Sequence, residues 1–126
     1  METGIKTILW CVFVACTLIV FGCGKQADES KPVSEVKAEA EKMNAADLKA
    51  AATKYKDAIT AKKSELEKLA TKLKEIPVAQ ALGAEAKEIK AQIDSINKSV
   101  SALQERFQVY YDKLKEKGGD LSGLEL

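Results

Sequence analysis

The side chains with the most distinctive chemistry in this 126-residue chain are three cysteines, Cys11, Cys16 and Cys23, all within the first 23 residues. The chain has no histidine. This combination excludes the usual zinc and transition-metal ligand sets, the catalytic systems that pair serine or cysteine with histidine, and a disulfide framework. Carboxylates and lysines are plentiful but form no catalytic motif. The sequence therefore predicts a protein that is not an enzyme and that uses no metal or cofactor.

The charges are balanced, which bears on the class of partner. Twenty Lys and Arg residues face 19 Asp and Glu residues, for a formal net charge of +1, and the one arginine is Arg106. A nucleic-acid surface is expected to carry a basic excess and arginine side chains. We therefore expect no nucleic-acid partner, and no small-molecule substrate is evident.

A short apolar segment precedes the polar remainder of the chain. Thirteen of the 16 residues in 7–22 are hydrophobic, Lys6 supplies a positive charge before them, and the chain turns polar from Gly24. Residues 8–21 as a helix would span about 21 Å, short of the ~30 Å hydrocarbon core of a bilayer. This length is typical of a signal peptide rather than of a permanent transmembrane helix.

The boundary of that segment reads Val20-Phe21-Gly22-Cys23. This motif resembles the lipobox of bacterial lipoproteins, in which an aliphatic, a variable and a small residue precede a lipidated cysteine. The resemblance implies removal of residues 1–22 and attachment of diacylglycerol and an N-acyl chain to Cys23, which together anchor a protein firmly. It also implies a place in the bacterial cell envelope. With Gly24 after the cysteine, that place is the outer membrane facing the periplasm if the source has two membranes.

Two alternatives remain open for this segment. Phe13-Val14-Ala15-Cys16 also ends in a small residue and a cysteine, but cleavage there would leave residues 17–21 as an apolar stub. In the other alternative Cys23 is only a small hydrophobic residue in an apolar helix, with an uncleaved anchor or ordinary cleavage. Cys23 remains the expected site of lipidation.

Residues 23–43 are expected to hold the lipidated cysteine, a flexible tether over 24–33 and a possible helical extension over 34–43. The tether is small and polar and contains Pro32. The extension consists of good helix formers but has almost no apolar face, so we expect it to be held weakly.

Two heptad patterns follow, in arms over 44–76 and 84–117. Asn44 is the expected N-cap of the first arm, with Asp47 at the third helical position. Steps of four and three place one narrow apolar seam on each arm. The first seam is Leu48, Ala52, Tyr55, Ile59, Lys62, Leu66, Leu69, Leu73 and Ile76. The second is Leu82, Ala86, Ile89, Ile93, Ile96, Val100, Leu103, Phe107, Tyr110 and Leu114.

The phase of the seam does not carry across Pro77, which disfavours one continuous rod. Folding back over residues 77–83 instead pairs Leu48 with Leu114 at one end and Leu73 with Ile89 at the other. The predicted fold is all-α, a long antiparallel two-helix coiled-coil hairpin after a lipoprotein signal peptide. Such a hairpin buries one strip and is marginal alone, so we also expect oligomerisation into a bundle or a helical partner.

A few side chains stand apart from this pattern. Lys62 is the polar seam residue, and we expect its stem to pack while its ammonium group reaches solvent. Gly118 and Gly119 stop the second arm, and a tail over 118–126 follows. The candidates for contact with a partner are the off-seam residues Val109 and Tyr111 and the tail leucines Leu121, Leu124 and Leu126.

These features favour a small membrane-anchored lipoprotein that serves as a structural or protein-interaction element of the cell envelope. In plan it is similar to the small murein lipoproteins, which combine a lipobox, a short tether and a heptad helix. That family ends in a lysine used for covalent wall attachment, whereas this sequence ends Gly123-Leu124-Glu125-Leu126, so wall linkage is not implied. The alternatives are an accessory or adaptor subunit that binds a partner helix and, ranked lower, an amphipathic lipid-surface binder.

Overall fold

The computed structural model describes residues 27–126, and all the regular structure in that range is helical. The helices are α1 (Val33–Lys42), α2 (Ala45–Glu75) and α3 (Ala84–Glu116), with a 3-10 turn at Val78–Gln80 between α2 and α3. Residues 27–126 contain no strand, which confirms the all-α class. The expected signal peptide over 1–22 and Cys23 lie outside the described residues.

The breaks between the helices follow from local sequence. The side chain of Asn44 accepts a hydrogen bond from the amide of Asp47 at 2.9 Å, as expected of the N-cap of α2. Met43 and Asn44 are extended, so α1 and α2 are separate helices. At its other end α2 stops because Ile76 is extended ahead of Pro77, the conformation that a following proline favours.

The end of α3 is closed by two glycines in a Schellman motif. Gly118 has a φ of +67°, and its amide donates to the Lys115 carbonyl at 3.0 Å, while the Gly119 amide donates to the Leu114 carbonyl at 2.9 Å. A β carbon on Gly119 would lie 2.1 Å from Cδ1 of Leu114, so any other residue there would force the buried Leu114 side chain to shift. The motif turns the chain out of α3 and into the tail.

Helices α2 and α3 pack along each other, and the end of α3 lies beside the start of α2. There Lys117 Nζ donates to the Met43 carbonyl at 2.5 Å. The buried residues of the two helices belong to the predicted seams, apart from Arg106. In α2 they are Leu48, Ala52, Tyr55, Ile59 and Leu69. In α3 they are Ala86, Ile89, Ile96, Val100, Leu103, Phe107, Tyr110 and Leu114.

Helix α1 supplies a third packing layer that the sequence pattern does not predict. It packs against α3, and Val36 and Ala40 are 0% and 1% exposed. The expectation of a weakly held extension is therefore corrected. Two apolar residues four apart form a small stripe on one side of a helix, and here that stripe is enough to cover the adjacent edge of the core.

Burial differs between the two halves of the body. In the closed half (residues 27–60 and 101–126), Leu48, Ile59 and Leu114 are fully buried. In the open half (residues 61–100), most large seam residues retain some exposure: Leu69, Ile89, Ile96 and Val100 are 7–8% exposed, and Leu66, Leu73, Ile76 and Ile93 are half-buried. The difference arises because α1 and the tail add layers only to the closed half.

The connection between α2 and α3 exposes two large apolar side chains. Val78 is 93% exposed and Leu82 is 83% exposed. Leu82 is the first seam residue predicted for the second arm, and this placement is corrected: it precedes the N-cap Gly83, so it lies outside α3 and does not reach the seam. We call Val78 and Leu82 the apolar tip.

Because the two halves differ in burial, we expect the same substitution in α2 to lower the free energy of unfolding by different amounts in each half. We expect Leu48→Ala to cost about 3–5 kcal/mol of unfolding free energy, because the cavity is enclosed on all sides. Leu66→Ala should cost only about 1–2 kcal/mol, since its side chain is already partly exposed to water. Urea unfolding followed by circular dichroism measures both, and equal costs would contradict the distinction between the halves.

Candidate functional site

The expected lipidation site, Cys23, lies outside the described residues, four positions before Ala27. The relevant part of the structure is therefore the place where the chain from Cys23 joins the helices. Residues 27–32 run across the body and are held by side chains of α1, α2 and α3. We call this arrangement the N-terminal clasp. Its members are Asp28, Lys31, Glu39, Tyr55 and Arg106.

Two side chains of the clasp bind backbone carbonyls of the incoming chain. Tyr55 Oη of α2 donates to the Asp28 carbonyl at 3.1 Å, and Arg106 Nε of α3 donates to the Lys31 carbonyl at 2.8 Å. Arg106 also donates from Nη1 to the Ala102 carbonyl in its own helix at 2.6 Å, and the residue is only 7% exposed. Bonds from a charged donor are stronger than neutral ones, and a buried carbonyl left without a donor is costly. These bonds therefore hold the chain firmly at two points.

Side-chain contacts of the incoming segment complete the clasp. Asp28 Oδ1 accepts from the amide and hydroxyl of Ser30 at 2.9 and 2.6 Å, which forms a local Asx turn. These hydrogen bonds hold the pKa of the Asp28 carboxyl below its usual range, with a small contribution from Arg106. Lys31 pairs with Glu39 of α1, and that hydrogen bond raises the pKa of the Lys31 ammonium group. The expected tether over 24–33 is corrected from Ala27 onward, because these contacts fasten the segment to the helices.

Under the clasp lies a pair of tyrosines. The rings of Tyr55 and Tyr110 have centroids 5.5 Å apart, and the residues are 5% and 3% exposed. Tyr110 Oη donates to Glu39 Oε2 at 3.4 Å. Burial raises the pKa of both phenols, and it raises that of Tyr110 to about 12, with smaller contributions from Tyr55 and Glu39. The pair links the polar clasp to the apolar core.

The tail fastens to α2 rather than extending away from the body. Lys49 forms an ion pair with Asp120, and Lys56 Nζ donates to the Gly123 carbonyl at 2.6 Å. Hydrogen bonds from Lys49 and then Ser122 hold the pKa of the Asp120 carboxyl well below its usual range. Leu124 packs into the core at 1% exposure. The tail is thus an ordered part of the fold.

The structure places the candidate partner-contact residues differently from one another. Leu124 is buried within its own chain, so its assignment to a partner is corrected. Tyr111 is half-buried against the ring of Phe107, with centroids 5.7 Å apart, and Val109 lines a groove with Ala40 of α1. Leu121 is half-buried on the core, whereas Leu126 is 54% exposed.

Lys62 lies where the seam predicts, near the boundary of the two halves. Its side chain is 38% exposed, and Nζ lies 3.5 Å from Glu65 Oε2. The stem therefore packs while the ammonium group reaches solvent, as expected. An open groove runs from Asp28 past Lys62, and its other lining residues are Ala27, Glu29, Ala58, Ala61, Glu65 and Leu103.

Arg106 is the clasp member that sequence analysis missed. It lies next to the seam residue Phe107, at a position beside the seam of a coiled coil, where the heptad pattern predicts no particular contact. One signal was available: it is the one arginine among 20 basic residues. A rigid fork of donors can bind two carbonyls at once, which a lysine ammonium group does with less geometric constraint.

Among residues 27–126, no group of three or more acidic or cysteine side chains is placed to hold a metal ion. Of the helices in that range, none combines the length and apolarity needed to cross a bilayer. Comparison with protein-family models, with curated proteins and with solved structures gives no match to this chain.

The buried phenol of Tyr110 predicts a loss of stability at high pH. Its folded pKa of about 12 lies above the value of about 10 expected in the unfolded chain, so its contribution is complete below about pH 10 and declines toward pH 12. We expect the difference in urea midpoint between wild type and Tyr110→Phe to change over this interval and to be constant from pH 7 to 9. A difference that stays constant up to pH 12 would contradict the assignment.

Proposed function

We propose that this chain is a small bacterial lipoprotein, anchored through Cys23, that serves as a non-enzymatic structural or interaction element of the cell envelope. The observation that carries the proposal is Val20-Phe21-Gly22-Cys23 at the step from apolar to polar sequence. The clasp supports it, because the helical body begins only a few residues after that cysteine. In a source with two membranes, Gly24 favours the outer membrane, facing the periplasm.

The proposed form of this element is an antiparallel coiled-coil hairpin of α2 and α3, closed at one half by α1 and the tail. Its support is the contact between Lys117 and the Met43 carbonyl, together with the burial of both heptad seams. A body of this kind offers an elongated surface and a stable attachment to an anchor. With no histidine in the chain, that surface is better suited to holding and contacting than to catalysis.

Acylation of Cys23 is testable with a matched cysteine control. We expect Cys23→Ala to abolish the acyl mass, to block cleavage after Gly22 and to leave the protein unprocessed. Cys16→Ala should keep both acyl mass and membrane fractionation, because that cysteine is removed with the signal peptide. Mass spectrometry of the mature N-terminus and fractionation of cells measure these outcomes. A wild-type protein without acyl mass would refute the proposal.

A second candidate function is that of an adaptor that binds another helical surface through the open half. The observation that favours it is the apolar tip, where Val78 and Leu82 are 93% and 83% exposed beside a half-buried seam. A second copy of the chain would satisfy this surface as well as a helical envelope protein would. We therefore propose that self-association uses the open half, since the closed half is covered by its own chain.

The role of the tip in self-association is testable by sedimentation velocity on protein that begins at residue 23 and carries no lipid. We expect wild type to associate at micromolar concentration and Val78→Ser with Leu82→Ser to weaken association at least about tenfold, because burying each side chain contributes about 1.5–3 kcal/mol. Ala79→Ser in the same turn is the control and should behave as wild type. A wild-type monomer over the whole range would remove this candidate.

A further inference from the structure

We propose that the anchored end of the chain leaves the helical body near its mid-length, so that the body lies side-on against phospholipid headgroups rather than standing on one end. This inference rests on the proposed lipidation of Cys23. It concerns what the proposed function leaves open: which surface of the protein faces the membrane and which surface faces away.

We call Ala27, where the chain from Cys23 meets the helical body, the exit. Its position follows from the clasp contacts. Ala27 and Asp28 line the same groove as Ala58 of α2 and Leu103 of α3. Ala58 lies 13 residues after the start of α2 and 17 before its end. At 1.5 Å per residue, the exit is about 20 Å from one end of α2 and about 26 Å from the other.

The chain before the clasp is too short to move the anchor to either end. Cys23 precedes Ala27 by four residues, and four residues of extended chain span at most about 14 Å. Ala27 is half-buried against the core, and the next residue is held by Tyr55. A lipid on Cys23 is therefore confined to the surroundings of the exit, within reach of the middle of α2 and short of both its ends.

The side of the body that faces the membrane follows from the angles around α2. The groove side carries Ala58, and the tail is bound by Lys56. Residues two positions apart in a helix differ by about 200° around its axis, so Lys56 and Ala58 point to nearly opposite sides of α2. The bilayer then lies along the side of the clasp and α1, and the tail faces away from it.

This orientation also determines how an anchored molecule presents the apolar tip. With the body side-on, the tip lies about 30 Å along the membrane plane from the exit, at a height close to that of the clasp. A second anchored copy, or a helical partner anchored in the same leaflet, can then approach it by lateral diffusion. A protein standing on the opposite end would present the tip several tens of ångströms above the headgroups.

The position of the exit is testable with Cys23 itself. In protein that begins at residue 23, Cys23 is the one cysteine, because Cys11 and Cys16 lie in residues 1–22, and the whole described core is retained. We expect a nitroxide on Cys23 to broaden the amide signals of residues 58–65 and 97–104 most strongly and those near both ends of α2 least. Maximal broadening at one end, or equal broadening along α2 and α3, would overturn the proposal.

Two variants test whether the clasp is the cause. Tyr55→Phe removes the bond to the Asp28 carbonyl and keeps the ring, and Arg106→Met removes the bond to the Lys31 carbonyl and keeps an apolar stem. We expect each single variant to spread the broadening along the body and to weaken its maximum at least twofold. The double variant should abolish the maximum. Lys37→Met, an exposed position on α1, is the control and should leave the pattern unchanged. A wild-type pattern in the double variant would overturn the role of the clasp.

The orientation on a membrane is testable with acylated protein in phosphatidylcholine vesicles that contain a dansyl-headgroup lipid. Trp10 is the one tryptophan and lies in residues 1–22, so an introduced tryptophan is the sole energy donor after processing. We expect Glu65→Trp and Val78→Trp to give transfer within about twofold of each other, because both lie at a similar height above the headgroups, and Leu126→Trp on the tail to give less. Energy transfer that falls steadily along the helical body, from one end of α2 to the other, would overturn the side-on arrangement.

The acyl mass of each sample separates the two ways of failing. A protein without acyl mass refutes the proposed function. An acylated protein with a steady gradient of energy transfer refutes only the side-on orientation and leaves the lipoprotein assignment in place.

Discussion

Two helices packed along a narrow heptad seam cannot shield that seam from water on both flanks, and the rest of the structure depends on this constraint. The protein meets it in one half of its length by adding layers from its own chain. Val36 and Ala40 of α1 cover one flank, and Leu124 of the tail is buried beside the core. Where these layers stop, Leu66, Leu73 and Ile93 are only partly buried, although they belong to seams of the same pattern. The closed half therefore contributes most of the stability, and the open half leaves part of its apolar seam exposed.

The polar contacts at the surface of the closed half are placed to fasten these added layers. Arg106 and Tyr55 bind backbone carbonyls of the incoming N-terminal segment, and Lys49 and Lys56 bind the tail. The exposed ion pair of Lys49 with Asp120 contributes little by itself, so it orients the tail more than it stabilises it. The buried guanidinium group differs, because its loss leaves the Lys31 carbonyl without its donor in a site that water enters poorly. Attachment of the N-terminal segment thus depends most on one side chain.

Much of the helical plan could be predicted from sequence, because its signals are local or periodic. Asn44 caps α2, Pro77 ends it, the two glycines close α3, and the seam positions are the buried ones. The clasp, α1 packing and the tail could not be predicted in the same way. They depend on contacts between residues far apart in the sequence: 27 positions separate Asp28 from Tyr55, and 75 separate Lys31 from Arg106. In α1, Val36 and Ala40 form too short a stripe to show periodicity. Leu124 gave no signal either, because an isolated leucine in a polar tail has the same pattern whether it packs or not.

The direction in which the chain arrives has a mechanical consequence. A force applied through the N-terminal segment meets the hydrogen bonds of Arg106 and Tyr55 before it reaches any helix end. Those bonds join the segment to two different helices, so the load is shared between α2 and α3 instead of peeling one from the other. The force then acts across the helix axes, so it does not pull the backbone hydrogen bonds of α2 and α3 along their own direction. The body can therefore resist tension at its attachment without unwinding.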